Sequence, residues 1–287
     1  MDATLLREVR REVLGRSLKR CVGMSALGDE GVCLVDDKAR SLSSDPRDEE
    51  DENMLVSCQD LLGVAWASCV AGEGEDAELL SRLLMSAEAN LEYLSYPLLK
   101  QLAQVVITMM PLKPSSQLPA EPYISSVESD PDSVADDLLR RSDALPPSLA
   151  YRMMTVLRGQ MPMAERMGLA TFEAPQSSKL HLQVSETLRG MHVSHLNEQP
   201  VLGGVLYIDI AVSGGVAIEV DGPTHFVGAS DVRNAETLFR ACVLEKLGWR
   251  VLSVPFSEFQ SLRGAKEKSA YLSRRLRETG TGRGGRA

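Results

Sequence analysis

Asp209, Glu219 and Asp221 interrupt two short apolar runs in the last third of this 287-residue chain, and Gly222-Pro223-Thr224-His225-Phe226 follows directly. Carboxylates gathered on one side of a sheet are oxygen ligands for a hard divalent cation, and a metal so held activates water for phosphodiester hydrolysis. Thr224 and His225 offer hydrogen bonds to a phosphate or a ribose 2′-hydroxyl. Phe226 offers a ring to an unpaired base, and Arg233, Arg240 and Arg250 offer cations to phosphates. Two chemistries are therefore open, cleavage of a nucleic acid and binding of one.

These residues depend on a β-hairpin for their placement. Val205 to Val212 alternates, Ser213-Gly214-Gly215 turns, and Val216 to Asp221 alternates again. A two-residue Gly-Gly turn would set Ile210 against Glu219. A three-residue turn instead matches Val212 with Val216, Ile210 with Ile218 and Ile208 with Val220, keeping every apolar residue on one face. That register sets Asp209 opposite Glu219, with Asp221 on the same face. A helix over Ser178 to Arg189, with Leu180, Val184 and Leu188 on one side, precedes the hairpin. Ser230 or Asp231 is a candidate cap for a second helix, with Ala235, Leu238, Phe239, Cys242, Val243 and Leu247 on its buried face and Gly248 at its end. A strand over Trp249 to Val254 then lies parallel to its predecessor. Trp249 is read as core in preference to a stacking residue.

The segment from Ile208 to Phe259, with its Asp-Gly-Pro-Thr-His-Phe stretch and the Leu247-Gly248-Trp249-Arg250-Val251 run, resembles the RAP domain, and the likeness extends over about a hundred residues. It implies a fold similar to the restriction-endonuclease and very-short-patch-repair nuclease group, helical repeats upstream, and work on RNA in mitochondria or plastids. Nucleases of that fold use a strand Asp followed by Glu-X-Lys. Asp209 and Glu219 match the two carboxylates, but Asp221 stands at the lysine position, so the resemblance implies no catalytic residue here. His225 is a conceivable replacement base.

Upstream, the pattern from Leu55 to Met110 is helical, with breaks at Gly72 to Gly74 and Tyr96-Pro97. Gln59 to Ala67 and Leu99 to Ala103 resemble copies of an octotricopeptide-like repeat, with Leu61 and Leu99 separated by 38 residues. An ordinary bundle with Trp66 in its core accounts for the same helices. Pro111 to Asp132 reads as a linker, and another helix starts near Pro147 with Leu149, Met153, Val156 and Leu157 inward. Residues 3 to 20 form a basic amphipathic helix, either a targeting or a docking segment. Ser41 to Glu52 is an acidic loop. The expected organisation is α+β: a solenoid-like α-helical array over 1–167, then an α/β, restriction-endonuclease-like RAP domain over 168–287.

The net charge of −9 opposes nucleic-acid binding, but the acid is concentrated. Residues 1 to 167 carry 17 basic and 28 acidic side chains, and residues 168 to 287 carry 14 and 12. Five scattered cysteines and four histidines show no metal-ligand spacing, so neither a metal site nor a cofactor is expected. No apolar run is long enough to span a membrane. The expectation is an organellar RNA-binding protein acting on rRNA or mRNA, with other ribonucleoprotein subunits as partners. Its expected place is a mitochondrial ribosome, as component or assembly factor, with a plastid as the alternative compartment. The RNA-contacting set is Asp221, Thr224, His225, Phe226, Arg233, Arg240 and Arg250. A metal-dependent RNA endonuclease and a purely structural docking subunit are the competing readings.

Overall fold

The computed structural model describes residues 57–72, 76–113, 130–163, 179–228 and 230–281. The basic helix expected over 3–20 and the acidic loop Ser41 to Glu52 lie outside these residues. The chain divides into two compact units, with the boundary between Asn90 and Leu91.

In the first unit, α1 (Cys58–Val70) packs on α2 (Ala77–Asn90). Ser57 and Asp60 form a reciprocal capping box that satisfies the first free N–H groups of α1. Gly72 follows α1 at φ +77°, a conformation that suits glycine, and realises the expected break. Leu61, Leu62, Leu79 and Leu83 are fully buried, whereas Trp66 is only half-buried.

The second unit opens with α3 (Tyr96–Met109), whose start at Tyr96-Pro97 places proline where a missing N–H costs nothing. Next come α4 (Pro131–Arg141) and α5 (Pro147–Gln160), which pack on each other, and α5 also packs on α3. Helix α4 begins inside the stretch read as linker, because a proline-initiated helix looks like a loop signal at its first residues. Helix α6 (Lys179–Gly190) buries Leu180, Val184 and Leu188 as expected, and His181 and Ser185 with them.

The sheet has four strands in the order β1 (His195–Val201), β2 (Leu206–Val212), β3 (Val216–Asp221) and β4 (Arg250–Pro255). The first three are antiparallel, and β4 is parallel to β3 through α7 (Ala235–Lys246). The hairpin has the three-residue turn, with Val212 opposite Val216 and Ile210 opposite Ile218. Gly214 and Gly215 take φ of +85° and +79° to make it. Strand β1 is an addition to the sequence reading. It is an edge strand with Pro200 inside it and no apolar alternation to announce it.

The even-numbered face of β2 and β3, with Leu252 and Val254 from β4, forms one core with α6, with Phe259 of α8 (Phe256–Ser261) and with Tyr271 and Leu272 of α9 (Gly264–Thr281). Helix α7 covers the other face and also meets α3. It is therefore buried on two sides, through Thr237, Ala241 and Leu244 as well as Phe239, Val243 and Leu247. This corrects the single face expected, since Leu238 is 42% exposed. Asn234, rather than Ser230 or Asp231, caps α7 by accepting from the Thr237 N–H at 2.9 Å. Ser230 is engaged in a tight turn, where its hydroxyl donates to the Val227 carbonyl.

Gly248 ends α7 at φ +91°, donating to Glu245 O, while the Trp249 N–H reaches back to Leu244 O. The two bonds make a Schellman closure, and Trp249 is buried beside it, in the core as read. Arg250 ties the fold at that end of the sheet, donating to Gly214 O at 2.6 Å and to Thr279 O at 3.3 Å. Replacing Gly248 with Ala forces a Cβ into the left-handed region and is expected to lower stability by about 1 kcal/mol, read as a lower midpoint in chemical denaturation. An unchanged midpoint would show that the closure does not need glycine.

Candidate functional site: a carboxylate cluster closed by an arginine

Alternation along β2 and β3 puts Asp209, Glu219 and Asp221 on the sheet face that α7 covers. Arg240, halfway along α7, points down into them. Its Nε donates to Glu219 Oε2 at 2.5 Å, its guanidinium lies 3.8 Å from Asp209 Oδ1, and it also donates to the Tyr207 carbonyl. Asp209 does not stand in a regular pair opposite Glu219. The β2–β3 ladder stops at Ile210–Ile218, and the Asp209 carboxylate accepts the Val220 N–H at 2.8 Å. The β1–β2 ladder skips the same place, between Asn197–Ile210 and Gln199–Ile208, where Glu198 adopts φ +50°. Both neighbours of β2 thus give way at Asp209.

Burial pushes the Glu219 carboxyl up to about 7, with Asp209 and Asp221 adding to the shift and Arg240 opposing it. Its second oxygen, Oε1, is buried without a hydrogen-bond partner. Burial works against the Arg240 charge, but the Glu219 and Asp209 carboxylates more than offset it and hold the guanidinium protonated. Asp221 is 1% exposed and is raised by burial, while a hydrogen bond from Ser253 and the nearby His225 and Arg233 charges counteract the shift. Its Oδ1 lies 3.4 Å from His225 Nδ1, which also contacts Thr237 Oγ1 at 3.2 Å.

The loop after β3 is organised by Asn234. Its side chain donates to the Thr224 carbonyl at 2.8 Å, its N–H donates to His225 O, and Phe226 bridges to Arg233. Thr224 is exposed, and His225, Phe226 and Arg233 are half-buried. The structure therefore brings Asp221, Thr224, His225, Phe226 and Arg233 together. Arg240 is spent on the carboxylates, and Arg250 on carbonyls at the far end of the sheet. Sequence reasoning missed Asn234, Ser253 and Glu198. Only Asn234 had a usable signal, standing three residues before Thr237 at a helix start.

The arrangement fits a divalent metal poorly. A guanidinium occupies the space between Asp209 and Glu219, Asp221 is hydrogen-bonded to Ser253, and among the described residues no group of three or more His, Cys, Asp or Glu is disposed to hold an ion. The site is an ion cluster under a helix, three carboxylates against one arginine, at the carboxyl end of a mixed sheet.

Residues 218–275 match the RAP domain family, and the chain carries a RAP domain. An 80-residue stretch is 29% identical to a RAP domain-containing protein, chloroplastic, of Oryza sativa subsp. japonica, covering 28% of this chain and 12% of that protein. The chain thus matches only a small part of its relative's length. Among the described residues no helix is long and apolar enough to cross a membrane.

A carboxyl raised above its unfolded value binds its proton more tightly when folded, so its contribution to stability falls as pH rises from about 4.5 to about 7. Glu219→Gln cannot ionise and should flatten that fall by up to ~3 kcal/mol in denaturation curves compared across the window. Parallel curves for variant and parent would sink the assignment. Arg240→Ala strands the carboxylates and should cost roughly 3 to 5 kcal/mol above neutrality. The loss should be smaller in acid, where Glu219 is protonated.

Proposed function

We propose that this chain binds organellar RNA through its RAP domain and does not cleave it. The observation that carries the second half is Arg240. A half-buried guanidinium already pairs with the two carboxylates that would otherwise hold a metal, and Asp221 stands where the nuclease pattern has lysine. A metal ion entering there has to displace a charge that Glu219 and Asp209 both favour. The first half rests on the RAP match and on the loop from Thr224 to Phe226 with Arg233 bridged to it, which together offer a hydroxyl, an imidazole, an aromatic ring and a cation. Asp221 acts there from beneath, by orienting His225.

The finer features belong to the same reading. The placement of Asp209 and Glu219 on adjacent strands supports a restriction-endonuclease-like descent for the sheet. Helices α1 and α3 begin at Cys58 and Tyr96, the 38-residue spacing of Leu61 and Leu99, which supports a repeat array upstream. The rice relative's name points to the plastid rather than to the mitochondrion first expected. A ribosomal component or assembly factor remains the role proposed, since an acidic chain holds phosphate best when neighbouring subunits supply cations.

The purified chain, incubated with RNA or DNA and Mg²⁺ or Mn²⁺, is expected to leave both intact. Cleavage that disappears in Asp209→Ala would overturn the binder reading. Deleting residues 172 to 287 should release the chain from its RNA-containing particle, and retention after that deletion would assign the RNA contact to the helices. Crosslinking followed by sequencing should yield one rRNA segment for a ribosomal role, and scattered mRNAs would replace it with a regulatory one.

A further inference from the structure

From Arg263 to Thr281 the chain holds six basic residues and two acidic ones, and α9 sorts the cations by direction. Lys268 and Arg275 turn toward the body of the domain. Lys268 donates to Gln183 Oε1 on α6 at 3.0 Å, and Arg275 donates to the Ser253 carbonyl at 2.8 Å and pairs with Glu258 at 3.3 Å. Arg263, Lys266, Arg274 and Arg277 are exposed. At about 100° per residue, positions 266, 270, 274 and 277 fall within roughly 80° of arc, and 266 to 277 spans about 16 Å. Arg263 leads into the same stripe, its N–H held by Glu267 Oε2 at 2.6 Å. Arg274 is steadied over the Tyr271 ring, 5.9 Å from its centroid.

Its position sets this stripe apart from an ordinary solvated helix face. The stripe starts at the end of the sheet where the loop lies. Strands β3 and β4 are parallel with Asp221 level with Pro255, so the Thr224–Phe226 loop and the α8–Arg263 segment leave the sheet at the same end. From there α9 runs back along β4, because Arg275 reaches Ser253 O and Arg250 reaches Thr279 O.

We propose that the exposed stripe Arg263, Lys266, Arg274 and Arg277 carries the sugar-phosphate backbone of RNA, entering from the Thr224–Phe226 loop. The cations assigned to phosphate by sequence, Arg240 and Arg250, are structural, and α9 supplies the replacement. This rests on the RNA-binding reading above. It places the phosphate track on the side of the sheet away from the carboxylates, in contrast to a nuclease-type pocket.

The test uses the full chain and a labelled generic single-stranded RNA, titrated at several salt concentrations between roughly 50 and 200 mM. Changing all four residues to Gln alters only exposed side chains, and an unchanged thermal melt checks the fold. The quadruple variant should bind roughly tenfold or more weakly at the low-salt end, and its log–log salt slope should flatten by about 3, at ~0.7 per phosphate. A Thr224→Ala, Phe226→Ala, Arg233→Gln variant should keep most of that slope. An unchanged slope in the quadruple variant, with binding lost instead in the loop variant, overturns the stripe and leaves RNA binding standing. A parent chain that binds no RNA even at low salt overturns both.

Discussion

Glu219 is buried and Arg240 closes over it half-buried, and neither charge is well tolerated there alone. A lone buried carboxylate costs several kcal/mol, and so does a lone guanidinium. Pairing them fixes where α7 must lie, because Arg240 has to reach Glu219, Asp209 and Tyr207 O at once. The rest of the domain follows from that position. Helix α7 cannot slide or rotate on the sheet without stranding a charge, so its second buried side is presented to α3 in one orientation. At its end, the Schellman closure delivers Trp249 and β4 in register beside β3. The opposite face is ordinary apolar packing, which has no comparable directional demand.

Where apolar matching alone decides the outcome, the fold was legible in the sequence. The hairpin register follows from pairing Ile210 with Ile218, and the glycines of its turn and of the α7 terminus do what only glycine does cheaply. Legibility ends where a side chain competes with a backbone partner. Asp209 takes the Val220 N–H, so the ladder opens one residue short of the expected Asp209–Glu219 pair. Nothing in the alternation encodes that choice. Strand β1 was hidden for a related reason. As an edge strand with Pro200 and a positive-φ Glu198, it has neither periodicity nor a full ladder. The buried face of α7 was misjudged because a helix packed on two sides shows two overlapping stripes, which blur into one when read from hydrophobicity alone.

The site was half legible. Residues close in sequence, from Asp221 to Phe226, could be grouped because the strand end and turn hold them together. Arg240 and Arg250 could not be placed, since an arginine's partner is set by tertiary distance: Glu219 is 21 positions from Arg240, and Gly214 is 36 from Arg250. A cation in a sequence is available to any anion, and only packing shows which one claims it. Ser253 lay in a strand with no mark of its own, yet it donates to the most buried carboxylate of the cluster.

Electrostatics then constrain what the carboxylate face can do. Three acidic groups meet one arginine, with His225 and Arg233 offsetting Asp221 from the rim. The balance at the centre is neutral to negative, more so once Glu219 ionises. A phosphate approaching that face meets carboxylates shielded by little water, where like-charge repulsion is strongest. A carboxylate face closed by an internal guanidinium is unsuited to holding RNA. The RNA contact proposed above therefore has to use surface outside this cluster. The loop beyond β3 and the outward side of α9 meet that condition, because their polar groups project from the fold that Arg240 holds rather than into it.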